Sequence, residues 1–528
     1  MKRRGVMKGA AGLLGAAMAA PRIGRAQDAS VLKFVSYVDL AILDPIANTN
    51  AVTRTHSFLV FDTLFGVDYA FRTQPQMAAG YVVDSAFSDW TITLRDGLRF
   101  HDDTPVLGRD VVASLVRWGK RDVFGMSLME VVDEISAPTD TTVRFRLKGP
   151  FRLLVDALGK IAPNMPAIMP ARLAATDPAK SVPEMIGSGP FRFVAGERVA
   201  GARVVYEKFA GYVPRGDGEV GLSSGPKIVH VDRVEWLTMP EAATAAAALQ
   251  SGEVDWLETP APDLLDLLRK DKRLVVKTHD STGQMAILRF NALIPPFDNQ
   301  ALRRAVLRAV DQIEFMSAYA TDPALWRMNI GAFTGGTPMA TKAGMDGLFG
   351  PTDVARAKAE VAASGYAGQR VVILGPSDHP VNSVMANVAA DLFKRIGLNV
   401  DLQAMDAGTM FQRRNNKGPL DKGGWNVFPA AINGLGQLNP AESYLSRGNG
   451  QDAWYGWPTS PRMEQLHTAY LQAGDLGERK AICDAIQIVV FEEAPFLPLG
   501  QVVSPTAYRR EITGIQDGFP RFWGVKKA

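Results

Sequence analysis

TITLRDGLRFHDDTPVLGRDVVASLVRW, Thr91 to Trp118, decides the fold by changing its period halfway along. The first residues alternate apolar with polar, the period of a strand with one buried face. The last eleven, GRDVVASLVRW, place apolar residues at helical spacing. Between them, RDGLRFHDDTP supplies Asp, Gly and Pro, the residues of a tight connection. The same loop sets His101 beside Asp102 and Asp103, residue types that serve as metal ligands or as an acid–base pair. No second His stands three to five residues away, no HExxH occurs, and the six His, at 56, 101, 230, 279, 379 and 467, are scattered. A strand-to-helix turn accounts for the loop without chemistry.

Working outward, strand and helix patterns alternate in two separated blocks. VLKFVSY, VDRVEWLTM and EVDWLE read as strands around the helix EAATAAAALQSG, while THSFLVFDTLFGVD reads as a helix. MAILRFNAL, QRVVILG and NVDLQAMD read as strands around the helices PPFDNQALRRAVLRAVDQIEFMSAY and VNSVMANVAADLFKRIG. The first of these helices is expected to be capped by Asp298 or Asn299, with Leu302, Val306, Ala309 and Ile313 on one face. The second is closed by Gly397. Antiparallel patterns lie between the blocks, near residues 80–200, including the strand TTVRFRLKGP and the strand pair in GSGPFRFVAGERVAGARVVYEKF. This predicts two α/β lobes plus an inserted β-rich region. The Gly-rich loop GYVPRGDGEVGLSSGPK, 211–227, is expected to be exposed.

Length agrees, since 528 residues exceed the roughly 250–300 at which a single core stops growing. No run reaches the ~18 apolar residues of a membrane span. MKRRGVMKGAAGLLGAAMAAPRIGRAQ has a basic head, a short apolar run and small residues at Gly24 and Ala26, the layout of an export signal cleaved before Gln27. Arg3 and Arg4 resemble a twin-arginine signal, and an ordinary Sec signal is the alternative. Residues 1–26 hold six of the 58 Lys and Arg and none of the 55 Asp and Glu, so the remainder is 52 minus 55, or −3. No basic patch argues for nucleic acid. Cys483, the single cysteine, lies at helical spacing with Ile486 and Val490 and reads as a buried small residue. With no cysteine near the cleavage point, no lipid anchor is expected.

Other candidate sites are sparse. Ser188 in GSGP does not complete G-x-S-x-G, and neither phosphate-binding glycine pattern occurs. Trp454, Tyr455 and Trp457 in DAWYGWPTS are either a lid over a ligand or a plug in a core. Arg289, inside the apolar strand MAILRFN, either faces a cavity and takes a carboxylate or is satisfied by a buried acid or by backbone carbonyls.

The opening stretch, with FDTLFGVD, PQMAAGY, GSGPFRF, LQSGEVD, FNALIPPFDNQALRRAVLRAVD, DLFKRIGLNV, WPTSPRMEQL and EEAPFLPLG in that order, resembles the family 5 extracellular solute-binding proteins. These are the dipeptide, oligopeptide and nickel receptors of ABC importers. The resemblance implies a two-lobed α/β periplasmic-binding-protein fold of the large, type II-like kind. It assigns residues 27–75, 186–284 and 492–528 to the first lobe, 76–185 to a β-rich insertion, and 285–491 to the second lobe. MAILRFN is expected to cross between the lobes and APFLPLG to return. Function follows as capture of a peptide-like or modified small polar solute in the interlobe cleft. A periplasmic monomer that delivers its solute to ABC permease subunits is expected, with no catalytic residue, metal or cofactor. The competing classes are a secreted enzyme on this fold and a ligand-sensing subunit of a signalling receptor.

The resemblance also places site residues. Peptide-binding members carry W-x-x-D in the second lobe, where the Trp lines the pocket and the Asp pairs with the peptide amine. GGWNVFPAAINGLGQLNP offers Trp425 but has Phe428 in the Asp position, with Asn439–Pro440 displaced by what looks like an insertion of roughly eight residues. The loop GPSDHPVNS, where dipeptide receptors keep a carboxylate-binding Arg, holds Asp378 and His379 instead. The expected ligand therefore lacks a free α-amine. Trp425 would stack on it, Asn426 or Asn433 would bond it, Arg289 would hold any carboxylate, and Trp454 would contact it. Under a shifted register, Asp421 or Glu442 would serve an amine. His379 is the one His placed to join a nickel chelate.

Overall fold

The computed structural model describes residues 31–527, so the expected signal, residues 1–26, lies outside the described residues. Two mixed sheets organise the chain. The first has seven strands in the order Leu274–Lys277, Thr506–Arg509, Trp256–Leu257, Val31–Ser36, Arg233–Thr238, Arg203–Lys208 and Phe191–Phe193. At its centre Val31–Ser36 runs parallel to both neighbours, with Phe34 level with Trp236 and Trp256. The second has six strands in the order Trp326–Arg327, Phe496–Val502, Gln284–Phe290, Val427–Asn433, Arg370–Pro376 and Asn399–Met405. Three of these, Arg370–Pro376 with Asn399–Met405 and Val427–Asn433, are parallel.

A third, antiparallel sheet of four strands, Ala78–Val83, Asp89–Leu94, Thr142–Leu147 and Val132–Thr139, forms the β-rich insertion. The change of period in the opening stretch is visible here: strand Asp89–Leu94 leads into helix Gly108–Trp118. Val111, Leu115 and Trp118 bury one stripe of that helix, and the Asp110 carboxylate accepts from the Leu107 and Ala171 N–H groups at its start. His101 is a stitch between segments. Its Nε2 lies 3.0 Å from the Gly189 carbonyl oxygen, and burial pushes the imidazole down to about 4. Ser188 accepts from the Asp62 N–H and donates to the Ile168 carbonyl, both at 3.3 Å. A Cβ on Gly187 would lie 2.1 Å from the Val60 carbonyl oxygen, so the glycine is there for close backbone approach.

Four expectations change. MAILRFN is not a crossing: Gln284–Phe290 pairs on both sides within the second sheet, and so does its neighbour Phe496–Val502, the expected return. The links between the sheets are the short stretches 278–283 and 503–505, so the chain leaves the second lobe after Val502 and not at residue 491. The long helix expected after Asn299 is two, Gln300–Arg308 and Gln312–Tyr319. Asp311 breaks it by capping the second through the Ile313 N–H, which leaves Ile313 exposed. The loop 211–227 is buried over its last third, because Lys227 pairs with Asp62 at 2.7 Å in the first lobe. Cys483 is buried as expected, with its thiol pushed up to about 12 by burial.

Candidate functional site: the cleft between the sheets

Parallel strands gather their C-terminal ends at one edge, and open α/β sheets bind ligands just beyond such edges. Both large sheets do this toward each other. In the first lobe, Val31–Ser36 delivers Tyr37 and Val38, and Trp256–Leu257 delivers Glu258 and Thr259. In the second, Arg370–Pro376 delivers Asp378 and His379, Asn399–Met405 delivers Ala407, and Val427–Asn433 ends in Asn433. Together with Arg54 from helix Ala51–Val60, and with His279, Asp280 and Ser504 from the interlobe links, these line a cavity of about 260 Å³.

The lining is charged and mostly withdrawn from water. Arg54 is 3% exposed, and its Nη1 donates to the Asn433 side-chain oxygen at 2.8 Å, a bond that spans the cleft. Burial lowers its guanidinium to about 10, against the raising influence of Asp280 and others, so it stays a cation at neutral pH. Glu258 accepts from the Ser36 hydroxyl and the Tyr37 N–H at 3.1 Å, yet burial raises its carboxyl to about 7. Asp280 accepts from the Thr282 N–H and hydroxyl at 2.8 and 2.6 Å, which fixes the link before Gly283. His279 holds the exposed Asp517 at 2.8 Å. His379 caps helix Pro380–Arg395, with Nδ1 accepting from the Asn382 N–H at 3.4 Å, and burial keeps its imidazole below the usual range.

Of the residues expected to bind ligand, Asn433 and His379 line this cavity, and Trp425, Asn426, Phe428, Arg289 and Trp454 do not. Trp425 and Phe428 are fully buried in the second lobe, ring centroids 5.0 Å apart. Asn426 is spent on the backbone: its oxygen accepts from the Val372 N–H at 2.9 Å and its amide donates to the Pro295 carbonyl at 2.9 Å. Arg289 lies opposite Phe428 in the strand register and donates through Nε and Nη2 to the Tyr455 and Trp454 carbonyls at 2.6 and 3.3 Å, the backbone alternative, while its buried Nη1 has no partner. Trp454 is half-buried against Phe428 and Tyr444, and Trp457 packs on Trp425, so DAWYGWPTS plugs a core.

The cause is register. Strand Val427–Asn433 occupies the residues taken for an insertion, so Trp425 precedes the strand and the cleft-facing position comes at its far end. The absence of an acid at Phe428 therefore says nothing about a ligand amine. Neither Asp421, exposed, nor Glu442, buried away from the cavity, replaces it. Three acids line the cavity: Asp378, in the loop that holds no Arg, and Glu258 and Asp280, which with Arg54 were not among the expected site residues. The sequence carries two signals for them: an acid directly after the apolar pair Trp256–Leu257, and an Arg in the first turn of a helix that has no acid in that turn.

The family described as bacterial extracellular solute-binding proteins, family 5, matches residues 72–450. The chain belongs to this family. Among curated relatives, this family 5 protein is 35% identical to the probable peptide ABC transporter periplasmic-binding protein y4tO of Sinorhizobium fredii, over the whole of both chains. It is 25% identical to the glutathione-binding protein GsiB of Pectobacterium atrosepticum, over 96% of this chain and 94% of that one. Solved structures share its fold, and two of them are AgaA from A. tumefaciens R10 in complex with agropinic acid (TM-score 0.79, 21% identity, 94% and 99% of the two chains) and DppA from Helicobacter pylori in complex with the peptide STSA (TM-score 0.77, 20% identity, 94% and 98%). The family 5 chain is accordingly a solute-binding receptor with the two-lobed fold.

Proposed function

We propose that this receptor is exported, captures a small peptide-like solute in the interlobe cleft, and presents it to the permease of an ABC importer. The observation that carries the reading is the cavity itself: the strand ends of two separate sheets converge on it, and Arg54 of one lobe meets Asn433 of the other across it. A ligand that touches both lobes stabilises the closed arrangement by its difference in affinity for the closed and open forms. The relative at 35% identity, named for peptide transport, supports the peptide-like class. A ligand lacking an amine is not part of the proposal, since Glu258, Asp280 and Asp378 offer acids to one.

The reading makes the protein a binder. The solute released from it by unfolding should be re-bound after refolding and recovered unchanged. Steady conversion of that solute on incubation would favour the secreted-enzyme reading. Among the described residues no group of three metal-binding side chains gathers, and no helix is long and apolar enough to cross a membrane.

A further inference from the structure

Arg54 is a charged group whose surroundings leave it incomplete. A guanidinium carries five N–H donors. In this cavity Nη1 meets Asn433, the buried Nε has no partner, and no carboxylate lies within ion-pair reach among the described residues. The ring of Phe519 lies 4.3 Å from its central carbon, which removes water from one face. The two nearby acids are occupied elsewhere: Glu258 by Ser36 and Tyr37, and Asp280 by the turn at Thr282. Leaving a buried cation unpaired is costly, and the usual remedy is a carboxylate held by the guanidinium fork.

A second observation points the same way. Ala51, the first residue of the ten-residue helix that carries Arg54, also lines the cavity. Asn50 makes no side-chain cap, and no acid stands in the first turn, so the partial positive charge of the helix start is met by no carboxylate of its own helix. Glu258, Asp280 and Asp378 line the same cavity and make the rest of its wall unfavourable for a second anion and favourable for donors.

We infer that Arg54 is the specificity-determining residue of the cleft and selects a solute with one carboxylate, seated between Arg54 and the helix start, and with amine or hydroxyl donors toward Glu258 and Asp280. The inference rests on the receptor reading and narrows its ligand class. Because Arg54 also bonds Asn433, the carboxylate would be read at the point where the lobes meet.

The test uses the full mature chain and the solute released from it by unfolding, quantified by mass spectrometry and titrated back by calorimetry as the free acid and as its methyl ester. Esterification with methanol should add a methyl group to the solute, and the ester should bind about a hundredfold more weakly. Arg54→Met should weaken the free acid about as much and leave acid and ester nearly equal, while Arg54→Lys should keep part of the preference. Without ligand, Arg54→Met should melt no lower than wild type, because it removes an unpaired buried charge. A solute without a carboxyl group, or an Arg54→Met protein that still prefers acid to ester tenfold, would overturn the inference and leave the receptor reading intact. A protein that neither retains nor re-binds any solute would overturn both.

Discussion

At the scale of single residues, the interior of the second lobe decides what Phe428 means. Its ring packs between Trp425, Trp454 and Tyr455, with no water-facing side. Phe428→Asp, which would write the peptide-receptor motif into the chain, should place a carboxylate in that core. The expected outcome is loss of several kcal/mol of stability, seen as a lower denaturation midpoint, and no gain of dipeptide affinity. Glu258 and Glu442 give a second residue-scale prediction. Burial raises both carboxyls from 4.5 to about 7, so the folded chain binds more protons than the unfolded one between those values. These two carboxyls take stability away as pH rises from 4.5 to 7, while the buried imidazoles of His56, His101 and His467, held down to about 3 or 4, add stability over much of that range; the double variant Glu258→Gln, Glu442→Gln should therefore gain stability relative to wild type as pH rises from 4.5 to 7 in urea titrations.

At the scale of elements, much of the molecule was legible in the residues. The opening stretch marks a strand and a helix because one face of each is buried, and burial is what sets a period. The two parallel-strand blocks and the insertion were legible for the same reason. The register of GGWNVFPAAINGLGQLNP was not. A strand buried on both faces over most of its length shows no alternation, so VFPAAIN carries no period that separates it from a loop or fixes where Trp425 stands relative to it. The break at Asp311 was hidden because helical spacing on either side continues across it, whereas the cap depends on one side chain. Asp311→Ala should cost about 1 kcal/mol of stability, measured by urea denaturation.

At the scale of the whole molecule, the lobes touch through more than Arg54. Leu435 and Leu438, on the loop after Val427–Asn433 of the second sheet, are buried in a core that holds first-lobe residues such as Phe34, Phe58 and Trp236. That contact joins the two lobes. Leu435→Ala should therefore enlarge the radius of gyration of the unliganded protein in small-angle scattering, and saturating solute should restore the wild-type value. Charge outside the expected signal points the same way as the cavity. The apparent basicity of the chain comes from residues 1–26, and what remains is near neutral, as suits a carrier of small solutes and not a binder of polyanions.

The most direct test of the receptor account is native mass spectrometry of the protein isolated from cells that express it. The account predicts one small molecule bound per chain, released on unfolding, re-bound on refolding, and identical in mass after prolonged incubation with the protein. A chain that never carries a small molecule, or a bound mass that changes with time, would contradict it.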